Sequence, residues 1–138
     1  MDRLFLDANV LFSAAYRAGS GLLRLWKRPG AELLTSEYAA EEARVNLAEG
    51  AQRQRLNDLL AQVRVLRAMP SGTLPRGVDL PEKDRPILLS ALEAYATHLL
   101  TGDKEHFGKY FGRDIGGVRI LPPGDYLRSQ RGAKRGAR

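Results

Sequence analysis

Short apolar segments alternate with helix-forming segments along almost the whole chain, and this alternation constrains the fold more than any other feature. The predicted strands are 3–7, 33–35, 64–67, 98–101 and 118–121. The predicted helices are 8–17, 22–26, 36–49, 51–63, 85–95 and 104–111, with a last helical turn at 125–128. Strands that alternate with helices form βαβ units, so the sequence predicts an α/β protein with a mainly parallel sheet covered on both faces.

The length and composition are those of one ordinary domain. The chain has 138 residues and no cysteine, which excludes disulfides, thiolate zinc sites and thiol nucleophiles within it. Three prolines and two glycines between residues 70 and 81 predict a connecting loop inside that domain. The apolar stretches are too short to span a bilayer and the N-terminus has no signal-peptide pattern, so we expect a cytoplasmic protein.

Positive charge is concentrated at the C-terminus. The net charge is +6, and residues 128–138 carry five positive charges and no acid, which leaves +1 for the rest of the chain. We therefore predict a folded domain over 1–127 and a basic, flexible tail over 128–138. A basic balance favours nucleic acid or another polyanion as partner, with a merely solubilising tail as the alternative. The candidate phosphate-binding residues are Lys83, Arg85, Lys104, Arg128, Arg131, Lys134 and Arg135.

Four acidic residues lie where predicted strands end or helices begin. Asp7 ends the first strand, Asp103 follows the fourth, Asp84 opens a helix and Glu42 lies within one. Because ligands of such sheets bind at the carboxyl ends of the strands, these carboxylates could share one pocket. Their repulsion would raise their pKa values unless a divalent cation such as Mg²⁺ or Mn²⁺ were bound. The structural alternatives are a helix cap for Asp84, a solvated Glu42 and a turn residue for Asp103; Asp7 is hardest to explain in this way.

The residues around these acids resemble four motifs of PIN-domain nucleases. The matching segments are 4–13 (LFLDANVLFS), 35–47 (TSEYAAEEARVNL), 83–92 (KDRPILLSAL) and 99–107 (LLTGDKEHF). They occur in the family's order and cover roughly residues 2–127. The subgroup that the chain most resembles contains toxins of toxin–antitoxin pairs. The resemblance implies a three-layer α/β/α fold and a metal-dependent ribonuclease, with RNA, an antitoxin protein and a second copy of the chain as partners.

The resemblance also assigns roles to individual residues. Asp7, Glu42, Asp84 and Asp103 match the acidic positions and are the implied catalytic residues and ligands of Mg²⁺ or Mn²⁺. Asn9 and Thr101 match polar neighbours that orient ligands or a bound water, although capping and turn hydrogen bonds explain them equally well. Glu41 is a rival to Glu42, which is preferred because Leu47 follows it by five residues, as in the family.

Other interpretations remain open from the sequence. A nonenzymatic RNA-binding or protein-interaction module would have the same acids without activity. Phosphoryl-transfer proteins of receiver or phosphatase type also place aspartates at strand ends, but Asp7-Ala-Asn9 lacks their paired acids. The only histidines, His98 and His106, do not share a helix at ligand spacing and are not expected to be catalytic.

Overall fold

A six-stranded sheet forms the centre of the computed structural model, which describes residues 1–136 and the side chains of residues 1–130. The strands are β1 (Arg3–Leu6), β2 (Glu32–Ser36), β3 (Arg64–Leu66), β4 (His98–Leu100), β5 (Asp114–Ile115) and β6 (Val118–Leu121). They lie in the order β3-β2-β1-β4-β6-β5, and every neighbouring pair is parallel except β5 and β6. The predicted mainly parallel sheet is confirmed.

Helices connect these strands. They are α1 (Ala8–Tyr16), α2 (Glu37–Asn46), α3 (Gly50–Leu60), α4 (Arg85–Glu93), α5 (Lys104–Phe107) and α6 (Pro123–Gly136). Short 3₁₀ turns form at Gly21–Leu25, Glu82–Asp84 and Gly108–Tyr110. None of the helices in the described part of the chain is both long and apolar enough to cross a membrane.

The central strands form because their apolar runs are buried on both faces. Leu4, Phe5 and Leu6 of β1 are fully buried, as are Leu99 and Leu100 of β4. Continuous burial of this kind requires helices on both sides of the sheet. Buried polar residues then follow these same strands, and they lie at one edge of the sheet.

The direction in which successive strands are added to the sheet reverses at β1. The strands β1, β2 and β3 follow one another outward on one side, whereas β4 and β6 lie on the other. Because such crossovers are right-handed, the reversal places α1, α2 and α3 on one face and α4 on the opposite face. In agreement, α1 packs against α2 and α3, and α4 packs against β2 and β4. The predicted three-layer architecture is confirmed, and its switch point lies between the carboxyl ends of β1 and β4.

Three elements differ from the predictions. The predicted helix at 22–26 is a 3₁₀ turn, which the Ser20 side chain caps at Leu22 N. The two-residue strand β5 was not predicted; it pairs with β6 through a turn in which Gly116 and Gly117 have φ values of 57° and 91°. The last helical turn, predicted at 125–128, is part of the longer helix α6. The side chains of Arg131, Lys134 and Arg135, which were predicted to contact RNA, lie outside the described residues.

Candidate metal centre

Asp7 lies at the switch point of the sheet and is almost completely buried. Its backbone N–H donates to Leu100 O at 3.1 Å, which fixes the end of β1 against β4. Its Oδ1 accepts from Ala8 N at 2.6 Å and caps α1, and its Oδ2 accepts from Thr101 Oγ1 at 2.8 Å and from Asn9 Nδ2 at 3.2 Å. The predicted neighbours Asn9 and Thr101 therefore hold the Asp7 carboxylate directly.

The loop after β4 is fixed by the same two polar residues. Asn9 Oδ1 accepts from Gly102 N at 2.8 Å, and Thr101 Oγ1 accepts from Asp103 N at 3.2 Å. Asp103 Oδ1 in turn accepts from His106 N at 3.1 Å and caps α5. The positions of Asp7 and Asp103 are thus coupled through one continuous hydrogen-bond network.

Asp84 reaches this region from the turn that precedes α4. It occupies the N-cap position of α4, yet its side chain makes no capping hydrogen bond. The residue is 8% exposed, and its Oδ2 is buried without a hydrogen-bond partner. Capping therefore does not explain why an acid is present here, and a buried carboxylate oxygen without a partner is unfavourable.

His106 lies between Asp84 and Asp103. Its Nδ1 is 2.9 Å from Asp103 Oδ2 and 3.0 Å from Asp84 Oδ2. A ring nitrogen carries at most one hydrogen, and the hydrogen-bond geometry is satisfied toward Asp103 only. In the described part of the chain, these three residues offer ligand atoms that all lie within 4.8 Å of one another. This position of His106 was not predicted; the i, i+3 spacing after a helix-capping acid is the signal in the sequence that could have indicated it.

Glu42 is the most peripheral of the four predicted acids. It lies exposed on α2, outside the group formed by Asp84, Asp103 and His106. Its charge nevertheless contributes to the raised pKa values of Asp7 and Tyr38, which places it beside the site. The neighbouring Glu41 instead forms an ion pair with Arg44 at 2.6 Å on the helix surface. Of the two glutamates, Glu42 is therefore the one whose charge acts on the acidic site.

The electrostatics of this region fit a divalent cation. The pKa of Asp7 is raised to about 6. Burial is the largest cause, the hydrogen bonds from Thr101 and Ala8 act against it, and the charges of Glu42 and Asp84 add to it. Burial also raises the pKa of Asp84, where the charge of His106 lowers it and that of Asp103 raises it. A bound cation would favour the charged forms of all these groups and give the orphaned Asp84 Oδ2 a partner. Asp7, Glu42, Asp84 and Asp103 are thus residues that could hold a metal, with His106 beside them.

The predicted basic residues surround the site unevenly. Lys83 and Lys104 are exposed next to Asp84 and Asp103, and the charge of Lys83 lowers the pKa of Asp84. Arg85 is held by the protein itself, since its Nε donates to Leu80 O at 3.1 Å. Arg128 lies on α6 and pairs with Asp125. Among the described residues, Lys83 and Lys104 are thus exposed cations that directly neighbour Asp84 and Asp103 in the sequence.

Two surface clefts flank Asn9. One, of about 360 Å³, is lined by Asn9, Glu42 and Asn46, among others. The other, of about 230 Å³, is lined by Asn9, Gly102 and Asp103, among others. A larger cleft, of about 520 Å³, is lined by Glu42, Tyr38 and Met69, among others.

The fold and site together define an α/β protein with an acidic centre at the switch point of its sheet. Similar solved structures include VapBC2 from Rickettsia felis, bound to a DNA fragment from its promoter, and VapBC-1 from nontypeable Haemophilus influenzae. The first has a TM-score of 0.59 at 12% identity, covering 87% of this chain and 98% of that one. The second has a TM-score of 0.57 at 16% identity, covering 88% and 98%. The fold is that of the PIN-domain proteins of VapBC complexes, which confirms the predicted resemblance at the level of the fold.

Known proteins of similar sequence add little to the likeness of fold. No protein-family model matches the chain. A curated relative is the hydroxyacylglutathione hydrolase of Rhizobium etli, 28% identical over 117 residues, which cover 72% of this chain and 46% of that protein. The chain thus spans less than half the length of that relative, and the activity of the longer protein is not transferred to it.

Proposed function

We propose that the protein is a metal-dependent ribonuclease that hydrolyses RNA phosphodiester bonds with Mg²⁺ or Mn²⁺. The observation that supports this best is the buried, unpartnered Oδ2 of Asp84 in the region that Asp7, Glu42 and Asp103 also approach. The PIN-type fold and the order of the four acidic motifs agree with the same reaction.

The roles of the residues follow from their surroundings. Asp7, Glu42, Asp84 and Asp103 would hold the metal. When bound, a divalent cation lowers the pKa of a coordinated water and neutralises charge on the phosphoryl and leaving oxygens. Asn9 and Thr101 keep Asp7 and the loop after β4 in place through the hydrogen bonds described above. They are positioning residues, because they contact the acids and the backbone rather than substrate.

Substrate binding is assigned to the surface around the acids. Lys83 and Lys104 lie exposed beside Asp84 and Asp103, where they would contact phosphates on either side of the scissile bond. The clefts that flank Asn9 offer a path for a single strand. The tail residues from Arg128 onward would add further phosphate contacts.

A partner is proposed from the likeness to VapBC complexes. The protein would be the toxin of a toxin–antitoxin pair, inhibited by a small antitoxin protein, and would form a homodimer. Coexpression with the product of an adjacent small reading frame tests this directly. A stable complex that suppresses cleavage is expected, and free activity in the presence of that product would contradict it.

The decisive experiment is RNA cleavage with purified protein. A labelled single-stranded RNA should be cleaved with Mn²⁺ or Mg²⁺ and left intact after addition of EDTA. Asp103→Asn should reduce the rate at least about a hundredfold, because it removes a charged ligand. Asp58→Asn is the matched control, since Asp58 is an exposed acid on α3 that accepts a hydrogen bond from Gln54.

The second pair of variants separates the two adjacent glutamates. Glu42→Gln should lose most of the activity, whereas Glu41→Gln should retain it. Equal cleavage by Asp103→Asn and the unaltered protein would indicate a contaminating nuclease. RNA binding without metal binding or cleavage would instead identify a nonenzymatic module.

A further inference from the structure

His106 lies among the acidic residues but is not itself acidic. The reaction proposed above gives it no role. It lies between Asp84 and Asp103 on the first turn of α5, with its side chain 22% exposed. Building on the proposed metal-dependent hydrolysis, we infer that His106 Nδ1 is itself a ligand of the cation, and that the resulting mixed nitrogen–oxygen site favours Mn²⁺ strongly over Mg²⁺.

The distances around Nδ1 are those of a ligand shell. In octahedral coordination with ligand distances of about 2.1 Å, neighbouring ligand atoms are about 3 Å apart. Nδ1 lies 2.9 Å from Asp103 Oδ2 and 3.0 Å from Asp84 Oδ2. Nδ1 thus has the spacing to each carboxylate oxygen that one cation would impose, and the three residues offer ligand atoms within 4.8 Å of one another.

A hydrogen-bonding role alone leaves this arrangement unsatisfied. The single proton that Nδ1 can carry serves Asp103, and Asp84 Oδ2 remains buried without a partner. A cation bound to all three atoms would satisfy both carboxylates at once, with the neutral imidazole donating its lone pair. The orphaned oxygen is the observation that favours coordination over a hydrogen bond.

A backbone hydrogen bond holds His106 in the position that brings its Nδ1 close to the two aspartates. Asp103 caps α5 by accepting from His106 N at 3.1 Å, so the same aspartate fixes both the start of the helix and the position of the histidine. This contact uses only the backbone N–H of residue 106. Substitution of the side chain therefore leaves the cap intact and should not disturb folding.

A nitrogen ligand changes which metal is bound. Mg²⁺ is a hard cation that takes oxygen ligands and dehydrates reluctantly, whereas affinity for sites containing imidazole rises along the first transition series. These carboxylates together with one imidazole would accept Mn²⁺ more readily than an all-oxygen site would. Of the two proposed cations, Mg²⁺ and Mn²⁺, the site should therefore select Mn²⁺.

The test uses the metal alone, without RNA. Pulsed electron paramagnetic resonance of bound Mn²⁺ should detect the nuclear coupling of one directly bonded nitrogen in the unaltered protein. Titration calorimetry should show that His106→Asn lowers the ratio of Mn²⁺ to Mg²⁺ affinity at least about tenfold, and the nitrogen coupling should disappear. His98→Asn is the matched control, because His98 is the other histidine and lies at the start of β4, away from the acids.

The outcomes separate this inference from the proposed function. Bound Mn²⁺ without nitrogen coupling would overturn the role of His106 and leave the metal-dependent nuclease standing. The same holds if His106→Asn keeps both the coupling and the metal preference. Absence of any Mn²⁺ or Mg²⁺ binding would overturn the inference and the proposed function together. The measurement on the unaltered protein stands even if the variant fails to fold.

Discussion

Two clusters of polar groups lie at opposite edges of the same sheet. They differ in whether their charges are balanced within the cluster. At the amino edge, the Tyr126 hydroxyl donates to Asp2 Oδ2 at 2.6 Å and accepts from Arg28 Nε at 2.9 Å. At the carboxyl edge, Asp7, Asp84 and Asp103 approach one another, and Asp84 Oδ2 has no hydrogen-bond partner. The first cluster balances its charges internally, whereas the second does not.

The contrast separates stability from function. An opposite-charge network with every partner present fixes α6 against the body of the protein and needs nothing from outside. A like-charge network disfavours the folded state unless a ligand compensates it. Strain of this kind clusters at functional sites, which supports the proposal that the carboxyl edge is the functional edge.

The largest expected effect comes from Asp84→Asn. It should weaken Mn²⁺ binding at least about a hundredfold, and it should also make the metal-free protein more stable by about 1 kcal/mol, because a buried charge without a partner is removed. Titration calorimetry and urea unfolding in EDTA measure the two effects. A variant that loses stability as well as metal affinity would mean that Asp84 is a structural residue like those at the amino edge.

The two edges should also respond to pH with opposite signs. The pKa of Asp7 rises from 3.8 to about 6 on folding, so the folded protein binds more protons than the unfolded chain between these values. Its stability should therefore fall by about 3 kcal/mol as pH rises through this window without metal. Burial lowers the pKa of His98, so that residue reduces stability as pH falls below about 6.5.

Urea unfolding in EDTA between about pH 4 and pH 8 resolves these contributions. Asp7→Asn should remove most of the loss of stability on the rise from pH 4 to 6, the rest being due to Asp84, whose pKa is also raised. Saturating Mn²⁺ should remove both contributions in the unaltered protein. A pH profile that Asp7→Asn leaves unchanged would show that the Asp7 carboxyl is not the group responsible.

Tyr126→Phe tests the amino edge by itself. Loss of the hydroxyl leaves Asp2 and Arg28 without their shared partner and should reduce stability by about 1–3 kcal/mol. Mn²⁺ affinity and the rate of RNA cleavage should not change, because the acids lie at the other end of the strands. Loss of cleavage at a temperature where the variant is fully folded would contradict the separation of the two edges.

The sequence predicts the central strands and the place of Asp7 at the sheet's edge for one physical reason. Short apolar runs such as Leu4–Leu6 can be buried only inside the sheet, and the polar residue that ends each run must then lie at the sheet's edge. The prediction for Asp7 follows from position along a strand and requires no knowledge of the contacts between segments. The role of Thr101 follows from the resemblance to PIN-domain nucleases.

Features that depend on packing between distant segments could not be predicted in this way. His106 reaches Asp84 only because α4 and the loop after β4 meet in space, and its helix is a single turn with little periodicity. Helix α6 has few apolar residues, and the Tyr126 hydroxyl docks it against Asp2 and Arg28. The sequence therefore indicates only a last helical turn at 125–128, where the structure has the longer helix α6.

The smallest expected effect concerns the basic residues beyond this anchored part of α6. Pro123 lines the cleft beside Asp103, and the Tyr126 hydroxyl reaches Asp2, so α6 leads away from the acids toward the amino edge. Deletion of 131–138 removes four positive charges and keeps Gln130, which accepts from Arg28. RNA binding should weaken at low salt, and the slope of log affinity against log salt should become shallower by about 0.7 for each phosphate contact that is lost. Mn²⁺ affinity and the cleavage pattern should stay the same, since the acids and their supporting residues are all retained. An unchanged salt dependence, measured by fluorescence anisotropy with the same single-stranded RNA, would assign these charges to solubility or to a protein partner.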